Sequence, residues 1–359
     1  MECARISSRP RSDSSPECSA ALASVFALCI LALASCATSG AGRVRSAQDE
    51  CSRGVQWSVA KPQVSAKDPA RAAALCQEAC DGGSAQGCFF LGVLYGDGVG
   101  VPEDRARAVT LLQKACDGGY PDACFVLGGA YLEGGYGLPK DPNRAARHFQ
   151  KACDGGSAEA CVGLGFLYDN GDGIPKDRGR AVVLFQKACD GGYSDACLIL
   201  AARYFEGGDG LPKDEDRAFA LLQKACDGGS VQGCGLLGSW YEMRSFSFVP
   251  TPQDREDMAR AAVLYQKACD LGGAVSCYRV GRFHEGGWGG VTKDPSRAAM
   301  LYQKACDGGS AEGCFALGKL CQDGKGTLKD AKRAASLFKK ACDAGLGEAC
   351  EALKALSKK

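Results

Sequence analysis

The chain has 359 residues, 43 Lys and Arg against 42 Asp and Glu, and 46% hydrophobic residues. The balanced charge excludes a protein that tracks nucleic-acid phosphates, which needs a basic face, and the apolar share excludes wholesale disorder. Two counts are abnormal: 49 Gly, about twice the usual share, and 23 Cys beside only 2 His, too few for mixed Cys/His zinc sites.

Arg5, Arg9 and Arg11 precede an apolar run from Ala20 to Ala34. At about 15 residues the run is too short to cross a bilayer comfortably, which takes about 20. Its length and flanks predict a secretory signal over 1–35. The run ends Leu33-Ala34-Ser35-Cys36, which resembles the bacterial lipobox. That resemblance implies cleavage before Cys36, lipidation of Cys36 and a stable anchor. With Ala37 next, it implies an outer-membrane lipoprotein facing periplasm or exterior, or a secreted protein if the lipobox is not used. Residues 36–66 are polar and lack helical periodicity, so they are expected to form a flexible tether, with Cys51 and Trp57 conspicuous in it.

From there one unit repeats. Lys-Ala-Cys-Asp-Gly-Gly recurs at Lys114, Lys151, Lys187, Lys224 and Lys304, with near-copies at Glu78, Lys267 and Lys340. Each copy begins a C-x7-C pair, and successive first cysteines are 36 or 37 residues apart except for one step of 43. Twelve residues before each first Cys sits an Asp: Asp68, Asp104, Asp141, Asp177, Asp214, Asp257, Asp294 and Asp330. Asp at that place predicts a helix N-cap. Pro69, Pro142 and Pro295 follow at the first helical position, where a missing N–H is harmless. Arg-Ala and an apolar pair such as Leu184-Phe185 give one buried face, and Asp-Gly-Gly stops the helix with a left-handed glycine. Ser84, Ser157, Ser230 and Ser310 then cap the next helix, the first of the following repeat, of pattern Ala158-Cys161-Leu164-Gly165-Tyr168. A glycine-rich loop leads to the next Asp.

These residues resemble the Sel1-like repeat, a relative of the tetratricopeptide repeat, and the cysteine placement resembles the Helicobacter cysteine-rich proteins. The resemblance spans about Asp68 to Cys350. It implies an all-α fold: an α/α solenoid of seven repeats over 67–350, with terminal capping helices and a C-terminal cap and tail over 351–359. Antiparallel neighbours bring the two cysteines of each pair together across the turn, and an export signal makes the compartment oxidising. Eight disulfides are therefore expected: Cys80–Cys88, Cys116–Cys124, Cys153–Cys161, Cys189–Cys197, Cys226–Cys234, Cys269–Cys277, Cys306–Cys314 and Cys342–Cys350. The rival, thiolate metal binding, needs four ligands that converge, and pairs spread along a solenoid do not. Cys76 and Cys321 fall in apolar slots and read as small buried residues, with a Cys51–Cys76 bond as the other option for Cys76.

His284 takes the Tyr slot of the repeat and reads as core; His148 reads as solvated. No catalytic motif, metal site or cofactor site emerges. The cysteine-rich relatives are classed as β-lactamases or penicillin binders, so weak β-lactam hydrolysis is the alternative the resemblance raises. Ser58-Val59-Ala60-Lys61 and Ser336-Leu337-Phe338-Lys339 match S-x-x-K, but S-D-N and K-T-G are absent, with Ser194-Asp195-Ala196 a near miss.

The preferred reading is a monomeric binding scaffold. In this superfamily the first helix of each repeat lines a concave face, and positions two and five after the second Cys vary along it. Phe90, Phe166, Arg279, Arg282 and Lys319 stand among them, giving a groove that runs from apolar to basic. Between Tyr241 and Asp257 lies an insertion that includes Met243, Phe246, Phe248, Val249 and Pro250, bordered by Trp240; its apolar residues predict a second contact surface. The expected partners are envelope proteins or a peptidoglycan-related ligand, with the membrane reached through the lipid.

Overall fold

The computed structural model describes Asp49, Cys51 and residues 55–57, 62–64, 68–208, 211–245 and 251–357. The signal 1–35, Cys36, Ser58 and Lys61, and Phe246, Phe248, Val249 and Pro250 lie outside the described residues.

Among the described residues from Pro69 onward, sixteen helices follow one another. They are α1 (Pro69–Asp81), α2 (Ala85–Asp97), α3 (Arg105–Asp117), α4 (Pro121–Glu133), α5 (Pro142–Asp154), α6 (Ala158–Asn170), α7 (Arg178–Asp190), α8 (Ser194–Glu206), α9 (Glu215–Asp227), α10 (Val231–Arg244), α11 (Pro252–Asp270), α12 (Ala274–Gly286), α13 (Pro295–Asp307), α14 (Ala311–Asp323), α15 (Ala331–Asp343) and α16 (Gly347–Ser357). Within the units, even-numbered helices pack on the odd-numbered ones that follow them, as α2 on α3, α6 on α7 and α10 on α11, and the fold is an α/α solenoid. Contacts divide the chain into two compact units, Met1–Ala130 with Gly134–Pro139, and Tyr131–Glu133 with Lys140–Lys359.

In the first unit, β1 (Val55–Trp57) and β2 (Pro62–Val64) pair antiparallel, with Val55 opposite Val64. Cys51 is bonded to Cys76 of α1. Part of the segment expected to be a tether is therefore paired and covalently held. The option of a Cys51–Cys76 bond is the one realised, and Cys76 is buried as half of a disulfide, not as a free thiol. Phe89, Leu94, Leu112 and Leu127 are fully buried in this unit.

The helix starts are built from side chains. Asp104 accepts from the Arg107 N–H at 2.9 Å, Asp177 from Arg180 at 2.9 Å and Asp214 from Arg217 at 2.9 Å. Ser157, Ser230 and Ser310 do the same for α6, α10 and α14. Each such bond satisfies a helix-end donor that has no partner inside the helix.

Asp257 is the exception. It sits inside α11, 1% exposed, and accepts from Arg244 Nε at 2.7 Å and from Gln253 Nε2 at 3.0 Å. The cap of this helix is Thr251, which accepts from the Asp254 N–H while Asp254 accepts from the Thr251 N–H. This reciprocal capping box, with Pro252 at the first turn, starts the helix ahead of the repeat's usual cap. Part of the insertion is thus helix, and Asp257 is an ion-pair partner, not an N-cap.

In the turn after each second helix the left-handed glycine is the second of the pair. The first glycine is right-handed, as at Gly82 (φ −73°), and the second carries the positive φ, as at Gly83 (φ +90°). Leu271 and Ala344 therefore replace the first glycine without strain, while Gly272 (φ +99°) and Gly345 (φ +94°) remain.

The second unit repeats three further contacts. A methyl group at Gly165, Gly281 or Gly318 would lie within 2.6 Å of the ring of Phe185, Tyr302 or Phe338, so the helix glycine seats the next helix's aromatic. The tyrosine slot stacks on an arginine: Arg180 lies 5.5 Å from the Tyr168 ring centroid and Arg217 5.6 Å from that of Tyr204. The repeated lysine reaches back to the end of the preceding second helix: Lys304 Nζ donates to the Cys269 carbonyl at 2.8 Å, and Lys267 Nζ pairs with Asp227 at 3.0 Å. A cation at a helix C-terminus complements its dipole.

Candidate protein-interaction site

Eight disulfides join the end of each second helix to the start of the next first helix, with Cα–Cα distances of 4.5 Å for Cys80–Cys88 and 4.8 Å for Cys116–Cys124, for example. The others are Cys153–Cys161, Cys189–Cys197, Cys226–Cys234, Cys269–Cys277, Cys306–Cys314 and Cys342–Cys350. With Cys51–Cys76 this makes nine, and Cys321 is a buried free cysteine. So dense a framework belongs to an oxidising, extracytoplasmic compartment. Among the described residues no helix is long and apolar enough to cross a membrane, and no cluster of three metal-ligating side chains occurs.

The residues expected to meet a partner are not equivalent. Phe90 is 5% exposed and tilts against Phe89 with ring centroids 5.4 Å apart, so it belongs to the core of the first unit and not to a docking face. Phe166 is 39% exposed, its ring edge-on to Phe185. Trp240 lies over Phe219, centroids 3.7 Å apart, and Phe219 meets Phe205 at 5.1 Å. These rings line an apolar hollow between α8 and α10, floored by α9, of about 340 Å³. Leu236 and Met243 form its rim, 54% and 68% exposed. Met243, placed by its sequence in the insertion, is the last residue but one of α10.

The expectation of a basic end needs correction. Arg279 is spent within the fold: its guanidinium lies 3.4 Å from Glu242 of the preceding repeat, whose other contact is the Tyr265 hydroxyl donating at 2.7 Å. Arg282 and Lys319 do share one cleft, but Glu285, Glu312 and Glu348 line it too. The cleft carries mixed charge. The missed carboxylates Glu242 and Glu285 stand eight residues after the second Cys. That position continues the face of positions one and five by one helical turn, and reading it would have found them.

The same eighth position supplies Asp169, 5% exposed, paired with Arg203 and with Arg178 at 3.4 Å. It forms an ion-pair hub beside a hollow of about 230 Å³ lined by Val182, Phe185 and Leu211. His284 is buried, 7% exposed, with Nδ1 3.4 Å from the Thr292 carbonyl oxygen. His148 is half-buried and stacks on Tyr131 at 5.4 Å, which corrects its reading as solvated: the outer helix carries it against the tyrosine slot. Ser336 is exposed on α15, and Lys339 turns to Asp343 at 2.7 Å; no acyl-transfer constellation forms around this serine.

Stacked helix pairs, stapled repeat to repeat and presenting first-helix side chains as hollows, define an α/α solenoid scaffold of the tetratricopeptide type. The Sel1 repeat model matches residues 63–84, 85–120, 121–157, 158–193, 194–230, 234–273, 274–310 and 311–346. The chain belongs to the Sel1 repeat family, whose repeats serve protein–protein contact. The first match, 63–84, is a partial one over the helix read from sequence as an N-terminal cap, and the seven that follow are the full repeats expected.

Among solved structures, a Sel1 repeat protein from Oxalobacter formigenes is 26% identical, with a TM-score of 0.64, over 80% of this chain and 80% of that one. A protective antigen present in uropathogenic Escherichia coli strains is 23% identical with a TM-score of 0.63, and the match covers 88% of this chain and 64% of the antigen. Helicobacter pylori cysteine rich protein B is 31% identical over 38% of this chain and 96% of its own, with a TM-score of 0.31. No curated protein sequence matches the chain.

Proposed function

We propose that this chain is an envelope scaffold, monomeric and anchored by lipid at Cys36, which holds a partner protein on the face formed by the first helices of its repeats. The observation that carries the reading is the hollow between α8 and α10. Trp240, Phe205 and Phe219 pack there under an exposed rim of Leu236 and Met243, and a surface of that kind gains by excluding water against another protein. The exposed Phe166 adds an apolar contact on the same helix class, and Phe246 and Phe248 extend the apolar character of the chain just beyond α10. Cell-wall peptides are the second ligand class, reached from the same envelope address. In this proposal 1–35 is removed as a signal and 36–66 links the lipid to the repeats.

Photo-crosslinking in intact cells tests it. Benzoylphenylalanine at position 236 or 243 is expected to give a discrete protein adduct, and the same group at position 263, exposed on the second-helix face, is expected to give none. Equal labelling at all three positions, or no adduct at 236 and 243, overturns the assignment of the face.

A further inference from the structure

Arg244 stands where six other repeats end their first helix on glycine. The position is ten after the second Cys, and there Gly98, Gly134, Gly171, Gly207, Gly287 and Gly324 all take positive φ. At Arg244 the helix continues, so α10 runs 14 residues where α2 and α6 run 13. Asp257 departs from the repeat in the following helix: the seven other Asp residues in its register cap a helix, and it does not.

The two departures are bonded to each other. Arg244 donates from Nε to one Asp257 oxygen at 2.7 Å and from Nη2 to the other at 3.0 Å. A planar fork held at two points on a carboxylate has one orientation. The carboxylate is itself fixed, because Asp257 is buried and also accepts from Gln253 at 3.0 Å. So held, the guanidinium lies 4.7 Å from the Trp240 ring centroid, and a cation there is drawn to the negative face of the indole. Trp240 meets Phe219, and Phe219 meets Phe205, so one line of contacts runs from a buried carboxylate to the three rings of the apolar hollow. The same arrangement leaves the hollow without unspent polarity. Asp257 neutralises Arg244, and the Ser239 hydroxyl in the lining lies 3.0 Å from the Tyr265 hydroxyl.

We propose that Arg244 is the positioning residue of this hollow. Asp257 fixes its guanidinium, the guanidinium fixes the Trp240 indole against Phe219, and the indole so fixed is the wall on which an uncharged apolar side chain of the partner seats. A wall ordered before the partner arrives spares the cost of ordering it on binding. The early start of α11 at Thr251 thereby serves the face, because it places Asp257 inside a helix, free to hold Arg244. The proposal deepens the scaffold reading and rests on it for the partner, though not for the link from Asp257 to Trp240.

The test uses the oxidised full chain carrying Trp57→Phe/Trp288→Phe, which leaves Trp240 as its one indole. Near-UV circular dichroism and acrylamide quenching read the packing of that ring, and adduct yield from position 236 or 243 in cells reads docking. Arg244→Lys keeps the positive charge beside Asp257 and loses the fork. It is expected to remove the indole band, to raise quenching and to cut adduct yield by about threefold or more, with the far-UV helix signal retained. Arg217→Lys, the same change at an arginine stacked on Tyr204 outside the hollow, is expected to leave every readout unchanged. A lowered urea midpoint in Arg244→Lys with the band and quenching unmoved makes Arg244 structural only and overturns the proposal. An equal effect of Arg217→Lys overturns it too. Adducts in the parent that Arg244→Lys leaves undiminished reject the positioning role and keep the scaffold face. A freed indole in Arg244→Lys without adducts in the parent rejects the face and keeps the link from Asp257 to Trp240.

Discussion

Asp257 shows what a single position can do when two local signals compete. It lies in register with seven helix caps, yet Thr251, Pro252 and Asp254 start the helix earlier and turn it into a buried carboxylate held by Arg244 and Gln253. Removing Arg244 leaves that charge 1% exposed with only the amide as donor. Arg244→Ala is expected to cost about 2 kcal/mol in urea unfolding, and adding Asp257→Asn to recover part of it; no loss in the single variant would contradict the ion-pair assignment. The tyrosines make a second prediction at this scale. Burial, with the Glu285 carboxylate as second cause, pushes the Tyr302 hydroxyl well above its usual value; Tyr265 is raised too, mainly by burial, and Tyr120 is pushed up to about 12 by burial and by Asp122. A raised folded value means the neutral form stabilises the fold fully below pH about 10 and loses that contribution as pH climbs through the folded value. Absorbance at 295 nm is expected to show these three ionising only well above the ordinary tyrosine value of about 10, together with loss of helix. A single transition of all tyrosines near pH 10 would contradict their placement.

The helix pair is where the sequence was most legible. Asp and Ser caps, the Asp-Gly-Gly turn and the paired cysteines are short-range signals with one physical solution each, and they mark nearly every helix boundary. Exposure was less legible, because it depends on which neighbours cover a residue. Phe90 and Arg279 share one repeat position, and one is core while the other is paired across repeats. The lysine stitch was hidden for the same reason: its acceptor lies a whole repeat away, as for Lys340 and the Cys306 carbonyl at 2.9 Å. Two predictions belong to the element. Cys226→Ala/Cys234→Ala opens a closure of about nine residues and is expected to cost roughly 2.5 kcal/mol; hydrogen exchange is expected to quicken at the α9–α10 turn first, and unchanged protection there would contradict a stapling role. Gly272→Ala forces a side chain into φ +99° and is expected to cost about 1 kcal/mol or more, whereas Leu271→Gly at φ −74° changes stability little. Equal melting shifts would refute the division of labour between the two turn positions.

For the whole molecule the framework sets both stability and address. Each repeat buries a modest core and meets only its neighbours, so the array depends on its interfaces, and a covalent link at every one of them holds each second helix to the next first helix. That framework forms where thiols are oxidised, outside the cytoplasm; the lipid anchor proposed at Cys36 is a separate claim with its own test. Metabolic labelling with an alkyne-tagged fatty acid is expected to mark the mature protein and to miss the Cys36→Ser variant; equal labelling of both would remove the anchor from the account. The most direct test of the central claim is thiol mapping of the mature protein taken from cells, denatured in alkylating reagent without prior reduction, then digested and weighed. Within 37–359 the account predicts one alkylated cysteine, Cys321, with every other sulfur recovered as the nine linked peptides. Alkylation of the paired cysteines throughout the array would contradict it.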